Sequence, residues 1–284
     1  MIRTAILTVY VLIATVTANG QFVGATACKA CHPAHYAAQS QSGHAKALSG
    51  GPTLWNFGAG VQAITPVNKL NDEFYLEHGQ SDFKGVKDLT PGHTNSRGVQ
   101  YRITDPGSQI MKCFQCHSTG PLKLTESFAI QPTEHGVRCE SCHGPGAGHI
   151  EQGGSKLAIF NPSQLNAAAM NDFCGNCHRK PGEDTDWTKP WNTRHQPIYL
   201  NQSACFQKSK GAVNCITCHK PHEPLARGSY DEYCSNCHAK PSHKTVAVIG
   251  KTCTGCHMPQ VRPQSKLAFT NHWIGIYRKS NLRP

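Results

Sequence analysis

The sequence predicts a mainly α chain with much irregular coil. Three observations lead there: the five-residue motif Cys-x-x-Cys-His occurs seven times, six copies crowd between residues 113 and 257, and Gly- and Pro-rich turn signals cut the remainder into short pieces. Two cysteines three positions apart sit about one helical turn from each other, so each motif asks for a short helix. The same spacing lets both thiols form thioethers to one porphyrin, with the next His under the iron as proximal ligand, and so reads as c-type haem attachment. Motifs this dense leave too little chain to enclose each porphyrin separately. The haems are then expected to stack on one another and supply much of the apolar interior, with little regular secondary structure around them.

The chain opens with Arg3, an apolar run over residues 5–16, and small residues around Ala18, the pattern of an export signal over 1–20. The run is shorter than the roughly 20 apolar residues of a bilayer span. The mature chain is expected in the periplasm or outside the cell, with no integral membrane segment after leader removal; an uncleaved anchor is the competing reading. Residues 21–110 are expected to form an N-terminal segment with the first haem and a haem-free cover, and residues 111–284 a six-haem core.

The first motif is Cys28-Lys29-Ala30-Cys31-His32, and residues 33–48, rich in Ala, Gln and His, are predicted helical. Residues 51–110 carry turn signals such as Thr65-Pro66 and Thr90-Pro91-Gly92 but no motif. Alternation in Val99-Gln100-Tyr101-Arg102-Ile103 suggests one small β element there. The motifs at Cys113, Cys116, His117 and at Cys139, Cys142, His143 come next. Gly144-Pro145-Gly146-Ala147-Gly148 then reverses the chain and presents His149 to a porphyrin face. An amphipathic stretch, 162–173, leads to Cys174, Cys177 and His178, and a Pro- and Trp-containing linker follows. The last three motifs, Cys215, Cys218, His219, then Cys234, Cys237, His238, then Cys253, Cys256, His257, advance by 19 residues each.

Zinc or dithiol redox sites also use Cys-x-x-Cys, but neither needs a His next to the second Cys, let alone seven times. The formal charge of +11 invites a nucleic-acid reading. Loss of Arg3 lowers it to +10, and the fourteen propionates of seven haems bring it to about −4 with ferrous iron or about +3 with ferric. Lys and Arg are scattered, so they read as propionate counter-ions, and no nucleic-acid partner is expected. Cys205 is the one cysteine outside a motif; it reads as a small buried residue beside Phe206, with inter-chain pairing or reactivity as the alternatives. The four Trp read as packing against porphyrin faces.

Each iron needs a sixth ligand unless it is open for chemistry. Ten His remain: His35, His44, His78, His93, His135, His149, His195, His222, His243 and His272. Met111, Met170 and Met258 are few, and Met258 adjoins His257 and cannot reach the opposite face of that haem. Bis-histidine ligation throughout is the economical reading.

Several stretches resemble the multihaem c-type cytochromes related to the tetrahaem electron carriers of nitrification and to cytochromes fused to tetratricopeptide repeats. They are Ser42-Gly43-His44-Ala45, Cys139-Glu140-Ser141-Cys142-His143-Gly144-Pro145-Gly146 with His149, Cys218-His219-Lys220-Pro221-His222, Cys256-His257-Met258-Pro259 and Phe269-Thr270-Asn271-His272. The resemblance covers most of the chain from Cys28 onward and is weakest over 51–110. It implies that His44, His149, His222 and His272 are distal ligands. Joined to the supply of spare His, it leads to a distal set of His44, His93, His149, His195, His222, His243 and His272, with His35, His78 and His135 in reserve.

The function expected is that of an exported heptahaem carrier passing electrons along bis-His haems. Its partners would be other redox proteins, either donor and acceptor cytochromes or a membrane quinol-linked reductase. Two alternatives stay open: an oxidoreductase with one open haem acting on a small nitrogen or sulfur compound, and a homo-oligomeric subunit of a conducting filament. A carrier is preferred to a catalyst because the His supply exceeds the demand and no Cys-x-x-Cys-Lys variant occurs.

Overall fold

The structure, a computed structural model, describes residues 20–105, 107–180, 185–225, 230–239, 243 and 252–277. The expected leader lies outside the described residues apart from Gly20. Two short helices come first, α1 (Ala25–Cys28) and α2 (Pro33–Ser40). Seven strands follow: β1 (Leu48–Gly51), β2 (Leu54–Phe57), β3 (Thr65–Lys69), β4 (Phe74–Glu77), β5 (Gln80–Phe83), β6 (Val86–Leu89) and β7 (Val99–Arg102). Next are α3 (Gln109–His117), the hairpin β8 (Ser118–Leu124) and β9 (Ile130–His135), then α4 (Cys139–His143), α5 (Ala147–Glu151) and α6 (Ala167–His178). The chain ends with α7 (Gln196–Asn201), α8 (Ala204–Lys208), α9 (Cys215–Cys218), α10 (Asp231–Ser235), α11 (Cys253–His257) and the hairpin β10 (Gln260–Gln264) and β11 (Leu267–Thr270).

The expected mainly α class is therefore corrected. Helix makes up 33% and strand 22% of the described residues, with several antiparallel sheets. Regular structure is also not scarce, contrary to expectation. The departure is concentrated in residues 48–102, where β1-β2-β3-β4-β7 form one antiparallel sheet and β5-β6 a hairpin joined to it through Ile64 and Asp82. Each strand is only four or five residues long. Two-residue periodicity barely registers over that length, yet pairing with neighbours on both sides makes the strands stable together.

Alternation along the strands places Leu48, Trp55, Phe57, Val67 and Tyr75 in one buried cluster, with Trp55 opposite Val67 and Leu48 opposite Phe57. Helix α3 closes this cluster with Ile110 and Phe114, four apart and both fully buried. Phe114 meets Trp55 and Phe57 edge-on, at ring-centre distances of 5.3 and 4.9 Å. Trp55 is thus held inside the sheet core. Tyr75, also fully buried, receives the Ile130 N–H at 2.8 Å and donates to Phe128 O. The C-terminal hairpin returns to the same unit, since Gln264 donates to Leu89 O and Gln62 donates to Ala268 O.

The helix expected over 33–48 starts as foreseen, with Pro33 at its first position, but ends at Ser40. Residues 42–47 turn instead, because Ser42 Oγ accepts from Ala45 N and the His44 carbonyl accepts from Ala47 N and Val137 N. Gly136 lies against this turn with φ +76°, where a Cβ would collide with Ala45 O. No helix among the described residues is long and apolar enough to cross a membrane.

Replacing Tyr75 with Phe keeps the packing but removes the hydroxyl that accepts from Ile130 N. It is expected to lower stability by about 1–3 kcal/mol, read as a reduced denaturant midpoint with an unchanged m-value.

Candidate functional site

All seven Cys-x-x-Cys-His motifs sit on or at the end of a helical turn. The residues around them explain why such short helices form. Asn214 and Thr217 make a reciprocal capping box at α9, Thr252 Oγ accepts from Gly255 N at α11, and Asn166 caps α6. In each case the cap places the first Cys at the start of a turn or the motif at its end. Burial is the main cause that pushes the Cys28, Cys142 and Cys234 thiols up to about 11 and Cys113 up to about 12.

Five motif histidines face a second imidazole from elsewhere in the chain. The ring centres are 6.3 Å apart for His32 and His149, 6.1 Å for His178 and His44, and 6.0 Å for His143 and His222. They are 6.1 Å apart for His219 and His272, and 6.2 Å for His257 and His243. An imidazole nitrogen bonds a metal at about 2 Å, and the offset from nitrogen to ring centre on each side puts two trans imidazoles roughly 6 Å apart. The gaps are the right size for one iron each. His35 is also 6.4 Å from His32, but three residues along the same chain, and it lies 4.9 Å from His222, too close for a metal between them.

The other ring nitrogen is equally well provided for. His117 Nδ1 faces Ala47 O at 3.0 Å, His143 faces Phe160 O at 2.9 Å, and His257 faces Gly275 O at 2.8 Å. His149 Nδ1 faces Ser155 O and His272 Nδ1 faces Thr270 O, each at 2.9 Å. A carbonyl can only accept, so Nδ1 carries the proton and Nε2 keeps its lone pair for a metal. For His143 and His257 the contact is reciprocal, because Phe160 N and Gly275 N donate back to the His carbonyls. Burial depresses the pKa of His44, His117, His178 and His219, and holds His272 down at about 4. Neutral imidazole is the ligating form. Ser203 supports His272 further: its hydroxyl donates to His272 O and accepts from Ile274 N.

His117 and His238 have no imidazole facing them at that spacing among the described residues. His117 is nonetheless well seated, with Phe57 edge-on at 5.2 Å. The structure brings His93 to Glu77, with Nε2 3.3 Å from Oε1, and Tyr101 donates to the other Glu77 oxygen at 2.6 Å. Glu77 acts electrostatically on Cys113, and Cys113 on Tyr101, so this polar group adjoins the second motif. His195 lies between two guanidinium groups, Arg179 Nη1 at 3.5 Å and Arg194 Nε at 3.3 Å. His78 pairs with Asn68, and His135 lies edge-on to Trp55. Cys205 is half-buried on α8, near Cys218 and Cys237.

A model of the family described as cytochrome c554 and c-prime matches residues 76–144. One curated relative is the multihaem cytochrome MtrA of Shewanella baltica, 28% identical over 167 residues, which cover 52% of this chain and 45% of that one. Another is the dissimilatory sulfite reductase MccA of Wolinella succinogenes, 29% identical over 163 residues, which cover 46% and 20%. Among solved structures, the outer cell wall cytochrome OcwA shares the fold with a TM-score of 0.55 at 17% identity, over 89% of this chain and 79% of that one. An undecahaem cytochrome from the S-layer of Carboxydothermus ferrireducens gives a TM-score of 0.55 at 16% identity, over 91% and 52%. The chain is a multihaem c-type cytochrome.

This multihaem cytochrome spans less than half the length of the curated relatives it matches. The groups that the sequence did not disclose are the carbonyls of Ala47, Phe160, Ser155, Gly275 and Thr270, which hold the imidazoles. A backbone acceptor has no side-chain signature. Phe114 was more legible, since its four-residue spacing from Ile110 marks an apolar helix face.

Replacing His222 with Ala is expected to turn one low-spin haem high-spin in the electron paramagnetic resonance spectrum, because His222 faces His143. Replacing His78 with Ala, whose ring is bound to Asn68, is expected to leave the spectrum unchanged.

Proposed function

We propose that this cytochrome holds seven haem c groups and carries electrons along them between redox partners outside the cytoplasm. The observation that carries this reading is the recurrence of an iron-sized gap between a motif histidine and a second histidine. Bound haem would supply a one-electron iron couple at each site. The chain would hold the groups through Cys28 and Cys31, Cys113 and Cys116, Cys139 and Cys142, Cys174 and Cys177, Cys215 and Cys218, Cys234 and Cys237, and Cys253 and Cys256. The ligand pairs proposed are His32 with His149, His178 with His44, His143 with His222, His219 with His272, and His257 with His243. His93 and His195 remain the candidates for His117 and His238.

The attachment sites adjoin one another. Cys28 lies near Cys139, Cys174 near Cys215, and Cys234 near Cys253. The helices agree, since α1 packs on α4, α6 on α9, and α10 on α11. Cys142 lies near Cys174, and Cys218 near Cys234. The sites therefore run in the order first, third, fourth, fifth, sixth, seventh, while the second adjoins the fourth through Cys116 and Cys177. A continuous row of this kind suits transfer across the molecule. Two His ligands favour lower potentials than His with Met. Export is supported by the expected leader and by relatives named for the outer cell wall and the S-layer. Donor and acceptor cytochromes or a quinol-linked reductase would dock weakly at the exposed ends.

A second reading is favoured by one observation. No imidazole faces His117 among the described residues, and its motif adjoins the polar group of Glu77, Tyr101 and His93 through Cys113, so the second haem would be open to a small nitrogen or sulfur compound. The relative named as a sulfite reductase fits that alternative.

The mature protein is expected to exceed its polypeptide mass by seven haems and to take up seven electrons per chain in a reductive titration. A product without Soret absorbance would overturn the proposal. Carbon monoxide separates the two readings: no stoichiometric binding to the reduced protein supports a carrier, and binding at one haem supports the open site.

A further inference from the structure

The two residues between the cysteines of each motif are free as far as haem attachment is concerned. In the third motif one of them is Glu140, and only 3% of it is exposed. Its side chain turns away from its own motif and accepts backbone N–H groups from two other segments. Oε1 accepts from Gly146 N at 2.7 Å and from Val23 N at 3.0 Å. Oε2 accepts from Gly24 N at 2.7 Å and from Val23 N at 3.2 Å.

The two segments have one thing in common. Val23 and Gly24 lead directly into α1, which begins the first motif and delivers His32. Gly146 is the N-cap of α5, the five-residue helix that carries His149. His32 and His149 are the facing pair at 6.3 Å. One carboxyl group thus grips the leading end of both segments that bracket the first site. Two further bonds support this arrangement: Ala147 N donates to Gln21 O at 3.2 Å, and Glu134 of β9 accepts from Ala25 N. Gly24, with φ +78°, and Gly146 offer N–H groups from short turns that lack regular partners. An N–H group left unmet away from water is costly, so this carboxyl stabilises one particular separation of the two segments.

We propose that Glu140 is a positioning residue for the first haem. Through it the third motif sets the distance between His32 and His149. The idea rests on the reading that these two histidines ligate one iron. It further implies that folding of the third motif prepares the coordination of the first, although the two motifs are far apart in the sequence.

The test uses the purified full-length holoprotein and its Glu140→Ala, Glu140→Gln and His149→Ala variants, each checked for its haem count by mass. Spin state is read by electron paramagnetic resonance, and carbon monoxide binding by absorbance of the reduced protein. E140A is expected to behave like H149A, with one more high-spin haem than wild type, one more equivalent of carbon monoxide bound, and the haem count unchanged. E140Q keeps one acceptor oxygen but turns an NH2 group toward a backbone N–H, so it is expected to show the same change in part of the molecules. If E140A fails to mature, E140Q decides alone. Variants at Glu140 that stay as low-spin as wild type, while H149A loses a ligand, would overturn the role of Glu140 and leave the ligand pair standing. An unchanged H149A spectrum would overturn the ligand pair itself, and the positioning role with it.

Discussion

A neutral imidazole has one N–H and one lone pair, and it can offer the lone pair to a metal only if the proton is placed elsewhere. Much of this molecule follows from that constraint. Five histidines set Nδ1 against a backbone carbonyl, which leaves Nε2 with its lone pair free, and four of the five face a second imidazole. The carbonyl fixes ring orientation as well as tautomer, since the ring must lie close to the line of the hydrogen bond. Where the contact is reciprocal, at His143 and at His257, the chain is held on both sides of the imidazole as if by a single rung of antiparallel sheet. Short irregular segments are thereby made rigid at the points that matter, without long helices.

The β unit shows how the same end is reached by burial. Its sheet has a hydrophobic face that needs a partner, and the helix bearing the second motif supplies it. Phe114 occupies a motif position that haem attachment leaves free and becomes the centre of that core. The second site is consequently built on a folded platform, with Phe57 against His117 and the turn at 42–47 providing Ala47 O beneath it. That turn also carries His44 to His178 on α6. One loop therefore serves two sites, and the close approach of Gly136 to Ala45 O keeps it in place.

The expected class erred where the haem motif is absent. The one-turn helices of the repeated motif carry the strongest sequence signal, whereas residues 51–110, expected as a cover, contain no motif. The alternation in Val99-Gln100-Tyr101-Arg102 was visible and does lie on a strand. Leu54-Trp55-Asn56-Phe57 and Phe74-Tyr75-Leu76-Glu77 also lie on strands, but neither alternates strictly, and four residues are too few for a period to stand out. They become strands only in each other's company, when Trp55 finds Val67 and Tyr75 finds Tyr101.

By itself the sequence determined the chemistry that depends on covalent proximity. Two thiols and an imidazole within five residues meet on one helical turn whatever surrounds them, so the motifs and their adjacent histidines could be read directly. Which second histidine faces which first one was decided by the tertiary structure alone. His32 meets His149 and His178 meets His44 across long stretches of chain, and the contact depends on turns, caps and backbone acceptors with no residue-type signature. Local spacing specifies what is bonded along the chain, while a gap between two rings is set by every segment that packs around it.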